Sequence, residues 1–131
     1  MTDTDLIRRA AALVRPRRLG PTVEVSSVAA ALLGADGSVY SGVCIDAACG
    51  VGVCAEHAAA AALITAGQSR VATMVAVRKA GEIVPPCGRC RELIWQIDPG
   101  NAETGVLLSP NRAVPLQSLL PDWWLVPGAT L

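Results

Sequence analysis

Two short segments hold the residues of this chain best suited to chemistry. Cys54-Ala55-Glu56 and Pro86-Cys87-Gly88-Arg89-Cys90 together supply three sulfur donors and one carboxylate. Thiolates are soft ligands that suit zinc, and three protein ligands leave a tetrahedral ion one corner short. Water in such a corner has its pKa lowered toward neutrality. A carboxylate that stays out of the ligand set can carry protons between that water and a leaving group. Cys54, Cys87 and Cys90 are therefore the candidate metal ligands, Zn2+ the candidate cofactor, and Glu56 the candidate catalytic residue. The combination points to hydrolysis.

The elements around these segments have to aim them at one place. From Cys54 onward, Ala55, Ala58, Ala59, Ala60, Ala61 and Ala62 favour a helix that Gly67 closes. Pro85-Pro86 blocks any helix before Cys87, and Leu93, Ile94 and Ile97 give a second short helix an apolar face that stops before Pro99-Gly100. Cys54 then starts one helix, and Cys87 and Cys90 lie in the first turn of another. Two positive helix ends would converge, which favours thiolates over thiols. Cys87 and Cys90, three apart, share a helix face and can grip one ion. Glu56, two residues past Cys54, leaves its helix in another direction.

Elsewhere, Thr2-Asp3-Thr4 offers caps for a helix whose apolar stripe of Leu6, Ile7, Ala10, Leu13 and Val14 ends at Pro16. Val23–Leu33 and the residues from Val39 read as strands joined by a hairpin turn at Asp36-Gly37, and 46–53, with Gly50 and Gly52, as a loop. Val71–Val77 is a buried strand by its branched residues, Lys79-Ala80-Gly81-Glu82 a turn, Val106-Leu107-Leu108 another strand, and Val114–Leu120 a strand end and short helix. Strands alternating with helices predict a sheet covered on both faces. The basic cluster Arg8, Arg9, Arg15, Arg17 and Arg18 reads as a solvated helix face and its exit.

Both cysteine segments, in this order, fit the signature of the zinc nucleobase deaminases, a ligand-x-Glu segment followed by Pro-Cys-x-x-Cys. The chain resembles the small cytidine deaminases and blasticidin S deaminase from about Val25 to about Leu120. Val28-Ala29-Ala30-Ala31-Leu32-Leu33, Ala35-Asp36-Gly37-Ser38, Arg91-Glu92 and Leu119-Leu120-Pro121 carry the likeness further. The resemblance implies an α/β chain with a three-layer α/β/α cytidine-deaminase-like fold and a five-stranded mixed sheet. It also implies a homotetramer and hydrolytic deamination of an amino-substituted pyrimidine-like ring. It assigns the Ala55 N–H to fixing the attacking oxygen. Nucleoside-specific members hold the ribose with an Asn-x-Glu segment, and aligning Gly42 with the family's glycine puts Cys44 and Asp46 there. Cys44, Asp46 and Ser27 are thus the candidate substrate contacts, and a substrate other than a plain nucleoside stays open. An arginine usually follows the glutamate in this family. Here His57 stands there, and either it or Arg89 is expected to donate toward a ligand sulfur.

Other readings bear on the same residues. Cys49 or His57 as a fourth ligand would close a structural zinc site and leave a non-catalytic, zinc-stabilised binding module. Cys87 and Cys90 alone resemble a redox pair, which would leave Cys54 and Glu56 idle. Cys44 and Cys49 read as buried or lining residues. Trp123-Trp124 would close the core or a subunit contact, or stack on a flat heterocycle.

The 131 residues suffice for one domain spanning 1–131, and 52% hydrophobic against 17% charged residues excludes disorder. That apolar excess predicts burial between subunits. Zero formal charge and no extended basic block exclude an advertised nucleic-acid partner, and no apolar run approaches a membrane span. Five cysteines, an odd number, and a Met1–Asp5 start without a signal-peptide pattern predict a reducing, cytoplasmic setting.

Overall fold

The computed structural model describes residues 1–125 and 128–130. Helix α1 (Asp3–Ala11) is followed by strands β1 (Arg17–Gly20), β2 (Val23–Gly34) and β3 (Val39–Ala47). Helix α2 (Ala55–Thr65), β4 (Val71–Val77), α3 (Gly88–Ile97), β5 (Gly105–Ser109) and β6 (Arg112–Pro115) complete the order. Short 3-10 turns fill several connections.

Strand β2 organises the sheet. β3 pairs antiparallel with both of its halves, Val23–Val25 and Ala29–Leu33. The other edge of β2 is divided: β1 takes the first half and β4 the second, both antiparallel. Beyond β4 lie β5, parallel to it, and then β6, antiparallel to β5. The sheet is mixed, with five long-order strands β3-β2-β4-β5-β6 and the short β1 as a sixth. That sixth strand corrects the reading of Arg17 and Arg18 as a helix exit, although both are solvated as expected. Residues 17–20 lack an alternating apolar pattern. They pair because the first half of β2 extends past the end of β4 and leaves its N–H and C=O groups open.

Neighbouring residues on β2 face opposite layers, as strand geometry requires. Ala31 packs with Leu6 and Ala10 of α1 and with Val75, Val77 and Leu107. Ala30 and Leu32 pack instead with Ala59 and Leu63 of α2 and Ile94 of α3. The result is helix, sheet, two helices, the three layers anticipated from the alternation of elements. α2 lies close to the sheet because both sides are small. A Cβ on Gly42 of β3 would stand 2.6 Å from Ala58 Cβ and from Ala59 N. α3 is tied at its far end by Asn101, fully buried, whose side-chain amide donates to Ile94 O and Ser69 O while its carbonyl accepts from Val71 N. Among the described residues no helix is long and apolar enough to cross a membrane.

Candidate active site

Both α2 and α3 begin with cysteine at the N-cap, Cys54 and Cys87, and neither side chain makes a capping hydrogen bond. Cysteine is a poor cap, since the residues that satisfy the first turn's amides are Ser, Thr, Asp and Asn. The sulfurs turn toward each other instead, 3.7 Å apart. Cys90, in the first turn of α3 and fully buried, places its sulfur 3.4 Å from that of Cys87. Cys54, His57 and Cys90 have their donor atoms within 4.8 Å of one another. For Zn–S bonds of about 2.3 Å, a tetrahedron sets its sulfurs about 3.8 Å apart, so this donor set fits zinc in chemistry and spacing.

His57 Nδ1 lies 3.4 Å from Cys90 Sγ. Of the two partners expected for a sulfur, the structure brings up His57; the Arg89 guanidinium makes no hydrogen bond among the described residues. Burial, and then the Arg89 charge, hold the His57 imidazole below its ordinary pKa, so it is neutral and has one N–H to give. Burial pushes the Cys54 thiol up. It pushes Cys90 much further up, and the Glu56 charge adds to that. At Cys87 burial opposes ionisation, but the Cys90 amide and side chain, the Cys54 thiol and the Arg89 amide outweigh it and lower the pKa. Without an ion Cys54 and Cys90 therefore hold protons that a divalent ion must displace.

A cleft of about 460 Å³ opens in front of this group. Cys54, Ala55, Glu56, Cys87 and Arg89 line one side, and Ser27, Cys44, Asp46, Gly50 and Gly52 the other. Neither Cys90 nor His57 lines it, so His57 meets the sulfurs from behind, away from the cleft. Glu56 is 5% exposed and has neither a hydrogen bond nor an ion pair among the described residues. Its side-chain oxygens are not sealed in, so what exposure it keeps is toward the cleft. A carboxylate held that dry without a protein partner is costly, and such groups gather where a ligand completes them. The amides of Ala55 and Glu56 are among those a helix start leaves without intrahelical partners.

The opposite wall rests on a bulge. β2 advances four residues, Val25 to Ala29, while β3 advances two, Ile45 to Val43. Ser26 sits in this bulge at φ 66°, in the left-handed region, fully buried. Its hydroxyl donates to Leu13 O at 2.6 Å and accepts from Arg15 N. The kink turns Ser27 toward the cleft, where its hydroxyl lies 3.2 Å from Cys44 Sγ and 3.4 Å from Asp46 Oδ2. The Val28 N–H also donates to Cys44 Sγ. The three candidate substrate contacts thus meet, although they come from two strands. Cys49 is exposed, in a turn at φ 60°, outside the donor group.

Sequence reasoning missed two supports. The Arg91 guanidinium donates to Pro86 O at 2.7 Å and to Leu119 O, which fixes the segment entering Cys87. Trp123 stacks on Trp95, ring centroids 3.9 Å apart, and the Trp123 and Trp124 indoles donate to the Glu92 carboxylate. No periodicity announces the Arg91–Leu119 bond or the Trp95–Trp123 stack, because each joins residues 28 positions apart. Trp123 therefore packs within the chain, and Trp124 is exposed.

Two helix starts turn sulfur donors and a lone carboxylate onto one cleft, and the cysteine and histidine donors there could hold a metal ion. No protein-family model matches the chain. It is 35% identical over 97 residues to a cytidine deaminase of Mycobacterium tuberculosis, covering 73% of this chain and 71% of that one. It is 34% identical over 97 residues to a cytidine deaminase of Halalkalibacterium halodurans, covering 72% and 74%. The crystal structure of the Mycobacterium tuberculosis cytidine deaminase superposes with a TM-score of 0.80 over 96% of this chain and 99% of that chain, at 27% identity. That from Burkholderia pseudomallei gives 0.74 over 93% and 98%, at 28%. The chain belongs to the cytidine deaminase family, whose fold it shares, and is a hydrolytic deaminase.

Proposed function

We propose that this enzyme hydrolyses the exocyclic amino group of a cytosine-type ring, in cytidine or a related small amino-heterocycle, and releases ammonia. Cys54, Cys87 and Cys90 would hold Zn2+. When bound, the ion supplies Lewis acidity that makes water nucleophilic near neutral pH. Glu56 takes a proton from the attacking water as its oxygen bonds to the amino-bearing carbon, and delivers that proton to the adjacent ring nitrogen. It then carries the second water proton to the departing amine, the C–N bond breaks, and the oxo product and ammonia remain. The Ala55 N–H, which the helix start leaves without an intrahelical partner, would hold the oxygen on which charge develops, as the resemblance implies. His57, behind Cys90, donates to a ligand sulfur and reduces the excess negative charge of three thiolates.

The observation that carries this reading is Glu56, nearly buried, without a hydrogen-bond or ion-pair partner among the described residues and beside the sulfurs in the same cleft. A zinc-stabilised binding module would have no use for such a carboxylate. Five unpaired cysteines suit a reducing cytoplasm. Leu19, Ile45, Val51 and Ile64 are exposed apolar residues that a homotetramer would cover, as the resemblance implies. A blasticidin-type substrate is the rival within deaminases, and the Cys44 and Asp46 wall favours keeping it in the screen.

The test is ammonia release from cytidine, deoxycytidine, cytosine and other aminopyrimidines by zinc-loaded protein. Glu56→Gln should lower kcat by about 10²–10⁴ with zinc retained. Undiminished turnover in Glu56→Gln, or no ammonia from any compound by zinc-loaded wild type, would overturn the proposal.

A further inference from the structure

Of the three sulfur donors, Cys87 is the one its surroundings hold least. Cys90 is fully buried and Cys54 half-buried, whereas Cys87 is exposed and its side chain makes no capping hydrogen bond. Its backbone must therefore aim its sulfur, and one residue grips that backbone on both sides. The Arg91 guanidinium donates through Nε to Pro86 O at 2.7 Å, and the Arg91 amide donates to Cys87 O at 3.0 Å. These carbonyls belong to the peptide planes before and after the Cys87 Cα. Holding both fixes φ and ψ there, and with them the direction of the Cα–Cβ bond. Among the described residues no carboxylate pairs with Arg91, and a cation this close to a helix start opposes the helix dipole. Neither a salt bridge nor helix stability accounts for it. Its charge goes into carbonyl bonds, to Pro86 and, through Nη1, to Leu119 O at 3.3 Å.

Leu119 is itself anchored. The 3-10 turn Leu116–Leu119 is pinned by Leu116, fully buried, whose N–H donates to Thr104 O at 2.9 Å. Further on, Trp123 stacks on Trp95, and the Trp123 and Trp124 indoles reach the carboxylate of Glu92, next to Arg91. Adjacent residues of α3 thus clasp one C-terminal segment, Arg91 at Leu119 and Glu92 at the two tryptophans. A line of contacts runs from Trp123 through Leu119 and Arg91 to Pro86 and Cys87.

We infer that Arg91 is a positioning residue that presets the Cys87 sulfur for the metal, and that residues 116–124 are the brace that keeps Arg91 in place. The inference rests on the zinc site of the deaminase reading, and it gives residues outside the cleft a share in holding the ion.

The experiment is zinc affinity by competition with a chromophoric chelator, at a temperature where circular dichroism shows each zinc-free variant folded. Arg91→Ala should weaken zinc binding about 10–100-fold. A merely structural role would lower the thermal midpoint and leave the affinity of the folded protein as it was. Trp123→Ala should weaken binding by less, and in the Arg91→Ala background it should weaken it no further, because the line to Pro86 is already cut. Arg91→Lys keeps the charge and the stem but loses the fork, so it should fall between wild type and Arg91→Ala. It carries the test if Arg91→Ala does not fold. Unchanged affinity in the folded Arg91 variants would overturn the inference, as would a Trp123→Ala effect that is absent from wild type or equal in both backgrounds. Either result leaves the deaminase reading standing, whereas wild type that takes up no zinc would overturn both.

Discussion

Helix α1 starts at Thr2, whose hydroxyl accepts from Asp5 N at 3.1 Å while the Asp5 carboxylate accepts from Thr2 N at 3.2 Å. Acidic residues fill its first turn and Arg8 and Arg9 its last, in keeping with the helix dipole. Helices α2 and α3, on the other face of the same sheet, start at cysteines, poor caps whose side chains make no capping hydrogen bond. Each such start forgoes about 1 kcal/mol relative to a good cap. One layer follows the rules of helix stability, and the other departs from them where two sulfurs have to meet. The departure is held in place from outside the first turns, by Arg91 on the Pro86 carbonyl and by Asn101 at the far end of α3.

The largest effect that would break this contrast comes from Cys90→Ala. It should abolish zinc binding, about one ion per chain by metal analysis, and with it all ammonia release. A variant that keeps zinc and turnover would show that the buried sulfur is core packing only. Smaller is His57→Ala, expected to keep zinc stoichiometry while weakening affinity about 10–100-fold in a chelator competition. Loss of stoichiometric zinc there would make His57 a ligand and close the site.

Reciprocal cap substitutions sharpen the comparison most specifically. With zinc chelated, Cys54→Ser should raise the thermal midpoint of the protein, since serine caps where cysteine does not. Thr2→Ala should lower it, with zinc content unchanged. If Cys54→Ser lowers the chelated midpoint, the sulfur contributes to the fold without metal and the contrast fails. The Thr2 effect is also pH-dependent. The Thr2 hydroxyl and amide hold the Asp5 carboxyl below its ordinary value. A depressed folded pKa contributes stability that is full above the unfolded value and lost as pH falls through the folded one. The midpoint gap between wild type and Thr2→Ala should accordingly be widest near neutrality and narrow below about pH 4, which thermal melts across pH would check.

Much of this was legible in the chain because local chemistry announces it. The Thr2 cap, the Asp36-Gly37 turn, the branched run Val71–Val77 and the double proline before Cys87 each mark a boundary that short-range sterics enforce. The grouping of Cys54, Cys87 and Cys90 followed from their places at two helix starts. Strand β1 was not legible, because what makes residues 17–20 a strand is the open edge of β2, a partner's property and not their own. The same holds for the cleft wall. Ser27 meets Cys44 and Asp46 only because two extra residues bulge at Ser26, and a positive φ at a buried serine leaves no trace in hydrophobic pattern. The Asn101 clasp and the Trp95 stack are likewise long-range contacts between single side chains.

X-ray absorption at the zinc edge tests the central claim most directly, using the zinc-loaded wild type. The account predicts three sulfurs at about 2.3 Å and one light atom that exchanges with solvent, without the multiple scattering of an imidazole. Fewer than three sulfurs, or a clear imidazole signature from His57, would contradict it.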